Sequence, residues 1–464
     1  MYFRGGSSLA GKTVGLAVAS GSGNRFIIGR WGECDRMTDK NSSDKMEQVG
    51  IGIMWFWKIN LIAICGALIL TCTGCNHGLS TETAVIETED EEAGGAGQDF
   101  LQNSNGTADE IAKLYCEIYS GVSESNTSDT LQMMKKIVAR LGENGYAAID
   151  SENQIDMAGA DQVLCFCEQV EAKKEAELTI IVLSSLDGFI LYDFRTSDGN
   201  VDIISRYYQL ENGELVNKST DCYFADFWEY TKEGILLFSG TWFSEELYAF
   251  TLSDMEEHIA LRVQPLDETC RELNRNYIRP IGYERNNMFI IDWSEEDFGE
   301  LNFYDMYDIL YPMVYGSDVF DSVTQDLESG GSYHIAKETF ESVIMKYFNI
   351  DSAVLQSRTR HQADSSAYIY HPRGFYDTEY PEYPFSEVVD YGENADGTIT
   401  LTVNAVFPYE NIAKVFTHEV VVRPLPDGGV QYVSNRIIPS EDNYTETWHI
   451  SRLTDEEWRE YEGK

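Results

Sequence analysis

Basic residues are scarce in this chain. Its 464 residues include 34 Lys and Arg against 78 Asp and Glu, a net charge of −44. A duplex or single strand of nucleic acid is bound by neutralising phosphates with a cationic surface, so this balance excludes a nucleic-acid-binding role. It also disfavours lying flat on anionic lipid. Histidine is scarce too, with seven well-separated residues and neither HExxH nor HxH, and no CxxC occurs beyond Cys75. No zinc site, catalytic zinc helix or disulfide framework is therefore legible, and no metal or cofactor is expected. The five cysteines after Cys75 (Cys116, Cys165, Cys167, Cys222 and Cys270) read as buried thiols. GxSxG is absent, and SxxK is absent beyond Cys75. With so many acids, no single carboxylate pair stands out as a glycosidase dyad.

What is present is a short apolar run, Leu61 to Leu70, preceded by Lys58 and closed by Thr73-Gly74-Cys75. A membrane-spanning helix needs roughly 20 apolar residues, and this run has about half that, the size of a signal-peptide core. Small residues before a cysteine match the site where a lipoprotein precursor is cleaved and lipidated. Residues 54–75 therefore read as a lipoprotein signal peptide, with Cys75 as the lipid-attachment residue. Cys72 stands where leucine is usual in that motif. This places the protein on the extracytoplasmic face of the cell membrane, held by its lipid.

A signal sequence belongs at an N-terminus, so Met46 or Met54 is the expected start, and residues 1–53 read as a non-native or cytoplasmic extension. That extension contains Gly6-Ser7-Ser8-Leu9-Ala10-Gly11-Lys12-Thr13, a match to GxxxxGK[ST]. A working phosphate loop follows a buried strand and opens a helix. Five residues are too few for that strand and the following stretch is rich in Gly and Ser, so no nucleotide binding is expected.

Beyond Cys75, residues 76–106 read as a disordered acidic tether with the charge run Glu87–Glu92 and the hinge Gly94-Gly95-Ala96-Gly97. Residues 107–265 read as one α+β domain. Ile111, Leu114, Tyr115 and Ile118 recur at helical spacing, and so do Leu131, Met134, Ile137, Val138 and Leu141. A third helix is expected over 160–176. The period then changes to two, with Asp187-Gly188, Asp198-Gly199 and Asn212-Gly213 as hairpin turns in an antiparallel meander. Residues 266–464 read as a second α+β domain. Its elements include a strand over 288–293, an aromatic-rich helix over 301–314, an amphipathic helix over 337–348 and four or five late strands. By analogy this domain is cystatin-like or NTF2-like, which bears on fold alone.

Several stretches resemble an uncharacterised family of Gram-positive bacterial lipoproteins, a domain of unknown function. They are Ala260 to Arg275, Ile281 to Met288, Phe340 to Met345 and Gln431 to Pro439. The resemblance implies a lipoprotein and assigns no site residues.

For binding, the aromatic stretch Tyr368 to Tyr391 is the candidate, with Tyr376, Tyr380 and Tyr383 as residues whose rings could stack on a sugar or peptide. His361 and His371 lie where a hairpin would bring them together, but they read as lone surface histidines. The sequence thus points to a non-catalytic binding or interaction module with an unknown protein, peptide or glycan ligand. The alternative is a cell-wall or glycan-directed hydrolase using a carboxylate pair.

Overall fold

A computed structural model describes residues 18–20, 25–27, 94–123, 129–244, 248–249, 251–326, 332–374, 382–444 and 448–461. The Gly6–Thr13 motif, the apolar run and Cys75 lie outside them. A two-stranded pair, β1 (Val18–Ser20) and β2 (Arg25–Ile27), precedes the rest. The described residues from Phe100 onward belong to one unit. They form an α+β fold with antiparallel sheets, as the change of period from helical to alternating implies.

Helix α1 (Gly94–Ser123) starts earlier than expected, so residues 94–106 are helical, not tether. The reason lies in the turn before Thr107. Phe100 and Ser104 are buried on the same stripe as Ala108, Ile111 and Tyr115, and the Arg195 guanidinium sits 4.6 Å above the Phe100 ring. That burial holds the helix from Phe100 onward. Helix α2 (Thr130–Glu143) is capped by Asp129, whose carboxylate accepts from the amides of Leu131 and Gln132. Strand β3 (Ala147–Asp150) and helix α3 (Ala160–Glu171) follow.

The large sheet adds β4 (Ala176–Ser185), β5 (Gly188–Ser197), β6 (Asn200–Glu211), β7 (Glu214–Tyr230), β8 (Ile235–Trp242) and β9 (Met255–Arg262). Its order is β3-β4-β5-β6-β7-β8-β9, antiparallel except for the β3–β4 pair. Asp198 (φ 52°) with Gly199 (φ 85°), and Asn212 (φ 54°) with Gly213 (φ 87°), are both left-handed. Two successive positive φ angles match the twist of flanking strands, so these dipeptides close their hairpins as the sequence implies. Helices α1 and α2 cover one face through Ile111, Tyr115, Ile137 and Leu141, against Ile181, Leu183, Phe189 and Leu191. Helix α3 covers part of the other through Val163, Phe166 and Cys167, against Ile180, Phe194 and Phe238.

Past β9 the chain enters helix α4 (Glu268–Leu273), which runs into a π turn, Asn274–Ile278. The strand expected over 288–293 is reduced to β10 (Trp293–Ser294). Asn286 takes up the local backbone by accepting from the Met288 amide at 3.0 Å, and the Trp293 indole donates to the Met288 carbonyl at 2.8 Å. Helix α5 (Phe303–Tyr315) is capped by Asn302 and ends at a left-handed Gly316. Strands β11 (Val323–Asp326) and β12 (Ser332–Ala336), helices α6 (Lys337–Tyr347) and α7 (Ser352–Ser357), and strands β13 (His361–Gln362) and β14 (Ala367–Tyr370) follow.

The second large sheet has the order β10-β18-β17-β16-β15. Its later strands are β15 (Phe385–Glu393), β16 (Ile399–Phe407), β17 (Ile412–Pro424) and β18 (Val430–Ile438). Helices α5 and α6 and this sheet share one aromatic core. Helix α8 (Asp455–Tyr461) closes the described residues, with Thr454 and Glu457 exchanging capping hydrogen bonds.

The expected 265/266 boundary falls between β9 and α4. Contacts cross it. Ile235, Leu237 and Ala260 of the first sheet pack with Val406 and Ala413 of the second.

Candidate functional site

The end of this sheet face beyond α3 is built by strand register. Directly opposed residues in antiparallel strands share a face. Tyr192 opposes Ser205, Ser205 opposes Asp221, and Ile203 opposes Tyr223. Farther along β7, Ala225 opposes Gly240, and Gly240 opposes Glu257, while Trp242 opposes Met255. Tyr192, Asp221, Tyr223, Trp242 and Glu257 therefore project from one side of the sheet. Beneath α3 that side is apolar, with Trp228 lying 5.6 Å from Phe166 and 5.2 Å from Phe194, centroid to centroid. Beyond α3 it turns polar and aromatic.

Gly240 makes this arrangement possible. A Cβ at that position would fall well inside contact distance of the Tyr223 ring and near the Phe224 carbonyl. Without it, Tyr223 lies flat across β8 and stacks on Trp242 at 4.9 Å and 18°. A glycine inside a strand often marks such a close approach.

Glu257 sits at the centre. Tyr192 donates to its Oε1 at 2.7 Å, and Tyr223 donates to its Oε2. Burial pushes the Glu257 carboxyl above the usual carboxylate range, against the lowering effect of the two hydroxyls, and the nearby Asp221 charge pushes it further up. Both phenols are held well above their ordinary value, mainly by burial and then by the Glu257 charge. Burial also raises Asp221. The Trp242 indole N–H is turned toward the Asp221 carboxylate but closes no full hydrogen bond.

All these donors are neutral. Elsewhere, buried carboxylates have arginine partners: Asp193 with Arg206, Glu387 with Arg262, and Asp305 with both Arg373 and Arg452. Asp150 is held by the amides of Glu152, Gln154 and Ile155. Among the described residues no Lys or Arg pairs with Glu257 or Asp221. The rim is apolar. In the β8–β9 connection Phe243 is 63% exposed and Leu252 50%, and the Phe243 and Tyr248 rings lie 5.3 Å apart.

Two other polar clusters are internal braces. Asp305 and Asp308 of α5 bind Arg452 and Arg373, with Tyr370 donating to Asp308 at 2.7 Å, and this ties α5 to the segments around residues 370 and 450. His418 of β17 is fully buried. Its Nδ1 meets Asn435 Oδ1 at 2.6 Å and its Nε2 meets the Tyr283 hydroxyl at 2.8 Å. Asn435 Nδ2 donates to the Ile291 carbonyl, so its Oδ1 faces the ring. Nδ1 therefore carries the proton, and Nε2 accepts from Tyr283. Burial drives the imidazole down to about 4. It is a neutral link between strands.

Of the residues singled out from sequence, Cys75, Tyr376 and Tyr380 lie outside the described residues. Tyr383 is exposed, and its hydroxyl is engaged by Glu284; its proton affinity is pushed up to about 12 by burial and that carboxylate. His361 and His371 do not meet. The first packs on Tyr368 at 5.1 Å, the second on Trp458 at 5.0 Å. Among the described residues no cluster of His, Cys, Asp and Glu could hold a metal ion, and all five described cysteines are free. Among the same residues no helix is long and apolar enough to cross a membrane. Sequence reading passed over Glu257, Tyr223 and Trp242. Gly240 beside aromatic residues of a strand was the available signal.

The profile of a family of unknown function (DUF6070) matches residues 102–452. No curated protein and no solved structure matches the chain.

Proposed function

The chain belongs to the DUF6070 family of unknown function, and on that footing we propose that it is a lipid-anchored extracytoplasmic protein whose folded part is a binding module. The anchor rests on the apolar run before Cys75. The binding role rests on one observation, the half-buried Glu257 held by two tyrosines beside a stacked Tyr223–Trp242 pair. Such a face offers stacking surface and charge without a nucleophile–base pair. Cell fractionation with metabolic palmitate labelling tests the anchor. Wild type should partition with membranes and take up label, and Cys75→Ala should lose both. A wild-type protein that fractionates as soluble and unlabelled removes this reading.

The second reading is a glycan-directed hydrolase using Asp221 and Glu257. It is favoured by the Asp221 charge acting on Glu257 and by the raised proton affinity of both, the condition a general acid needs. Release of reducing ends from cell-wall glycan by wild type, abolished in Glu257→Gln, would establish it in place of binding.

A further inference from the structure

We propose that the buried guanidinium of Arg271 is a receptor for the carboxylate of a small monocarboxylic acid. The site is separate from the Glu257 face and does not depend on the reading of that face. Arg271 lies on α4, just before the π turn Asn274–Ile278, and its side chain is 2% exposed. Its Nη1 is in use, with Asp156 at 2.6 Å and the Leu266 carbonyl at 3.3 Å. Its Nε and Nη2 are buried and have no hydrogen-bond partner among the described residues. Buried donors are seldom left unpaired because the loss is costly, so two of them on one charged group call for an acceptor.

The two atoms have a particular shape. Nε and Nη2 form the side-on fork of a guanidinium, two parallel N–H bonds that match the two oxygens of one carboxylate. Elsewhere this protein uses the same fork for that purpose. Arg262 gives Nε and Nη2 to the two oxygens of Glu387, and Arg373 gives them to the two oxygens of Asp305. Those acids are as deeply buried as their arginines. Arg271 differs, because the acid it meets, Asp156, is 54% exposed and sits on the other nitrogen. At its own depth Arg271 has no counter-charge among the described residues, and a buried charge without one is unfavourable.

Charge and reach select the ligand. Glu268, Arg271 and Arg275 are spaced three and four apart and share one side of this helical segment. Arg275 and Lys135 of α2 both donate to Glu268 Oε1, at 2.9 and 2.8 Å, and Arg275 Nη1 is a further buried donor without a partner. Lys135, Arg271 and Arg275 set against Asp156 and Glu268 leave one positive charge, in a chain of net −44. A monoanion balances it, whereas a phosphate dianion would be repelled by Asp156 and Glu268. The ligand must also be small, because the fork is closed to solvent. Asp156, on the same guanidinium, reaches the surface and marks the way in. A π turn is rare and recurs at functional sites.

The test is isothermal titration calorimetry of the full chain with sodium acetate at pH 7 and constant ionic strength, with inorganic phosphate and sodium benzoate as comparison anions. Weak, saturable one-site binding of acetate is expected, with no saturable heat from phosphate or from the bulkier benzoate. Arg271→Lys keeps the charge but not the fork, and should weaken acetate binding about tenfold or more. Asp156→Asn removes an exposed competing acid, and should tighten it about threefold. Thermal unfolding without acetate checks that each variant is folded. If Arg271→Lys does not fold, Asp156→Asn decides, and an acetate affinity unchanged in that variant overturns the proposal. No saturable acetate heat in wild type overturns it and leaves the fork to buried water. Equal binding by Arg271→Lys and wild type overturns it as well, since acetate then sits elsewhere. Phosphate or benzoate binding as tightly as acetate overturns the assignment to a small monocarboxylate.

Discussion

Arg262, at the end of β9, is buried against Glu387 of β15, and this bidentate ion pair joins the two large sheets. Asn153 braces the same corner. Its Oδ1 accepts from the Arg262 amide at 2.8 Å and its Nδ2 donates to the Ala260 carbonyl at 2.9 Å. Glu387→Leu strands a buried guanidinium and should cost about 3–5 kcal/mol, and Arg262→Met a similar amount. The double variant should recover most of the loss. Urea unfolding of the four proteins measures this; single losses below about 1 kcal/mol would show the pair does not hold the sheets together.

His418 sets a pH dependence. Its folded value is about 4, and its unfolded value is about 6.5. The folded value is the lower one, so the unfolded chain takes up the proton first. Its stabilising contribution is complete above about pH 6.5 and is lost as pH falls toward 4, by up to about 3 kcal/mol. The difference in unfolding free energy between wild type and His418→Gln should therefore shrink from pH 7 to pH 4.5. A difference that stays constant over that window contradicts the neutral assignment.

Gly240→Ala places a methyl group against the Tyr223 ring. Overpacking of this kind costs typically about 1–3 kcal/mol. Because the tyrosine must move off Trp242, the near-ultraviolet circular dichroism of the stacked pair should change as well. Unaltered spectra with unaltered stability would mean the close approach is not required.

Tyr192→Phe removes one of the two hydroxyls on Glu257. Burial is then less opposed, so the carboxyl should titrate at a higher pH than in wild type. Stability should fall by about 1 kcal/mol. Carbon-13 NMR of the glutamate carboxyls reads the shift directly, and a Glu257 resonance that titrates as before would remove Tyr192 from its environment.

Much of the architecture was legible because it is local. Asp198-Gly199 and Asn212-Gly213 need left-handed backbone whatever surrounds them, and Asp129 caps α2 with its own next two amides. The 337–347 helix needs only its own apolar stripe. Residues 94–106 were misread because glycine and polar content argued locally for a coil, while the burial of Phe100 and Ser104 that makes them helical comes from elsewhere in the fold.

The sequence by itself determined the class of fold, the acid excess and the short apolar run before Cys75, since each depends on composition, period or contiguous spacing. Only the tertiary structure decided which of the many acids stand together. Glu257 and Asp221 are 36 positions apart. They share a face because the β7–β8 and β8–β9 pairings bring their side chains to the same side of the sheet. A shift of one residue in any register would send one of them to the opposite face, and nothing in the spacing of the residues alone reports that register.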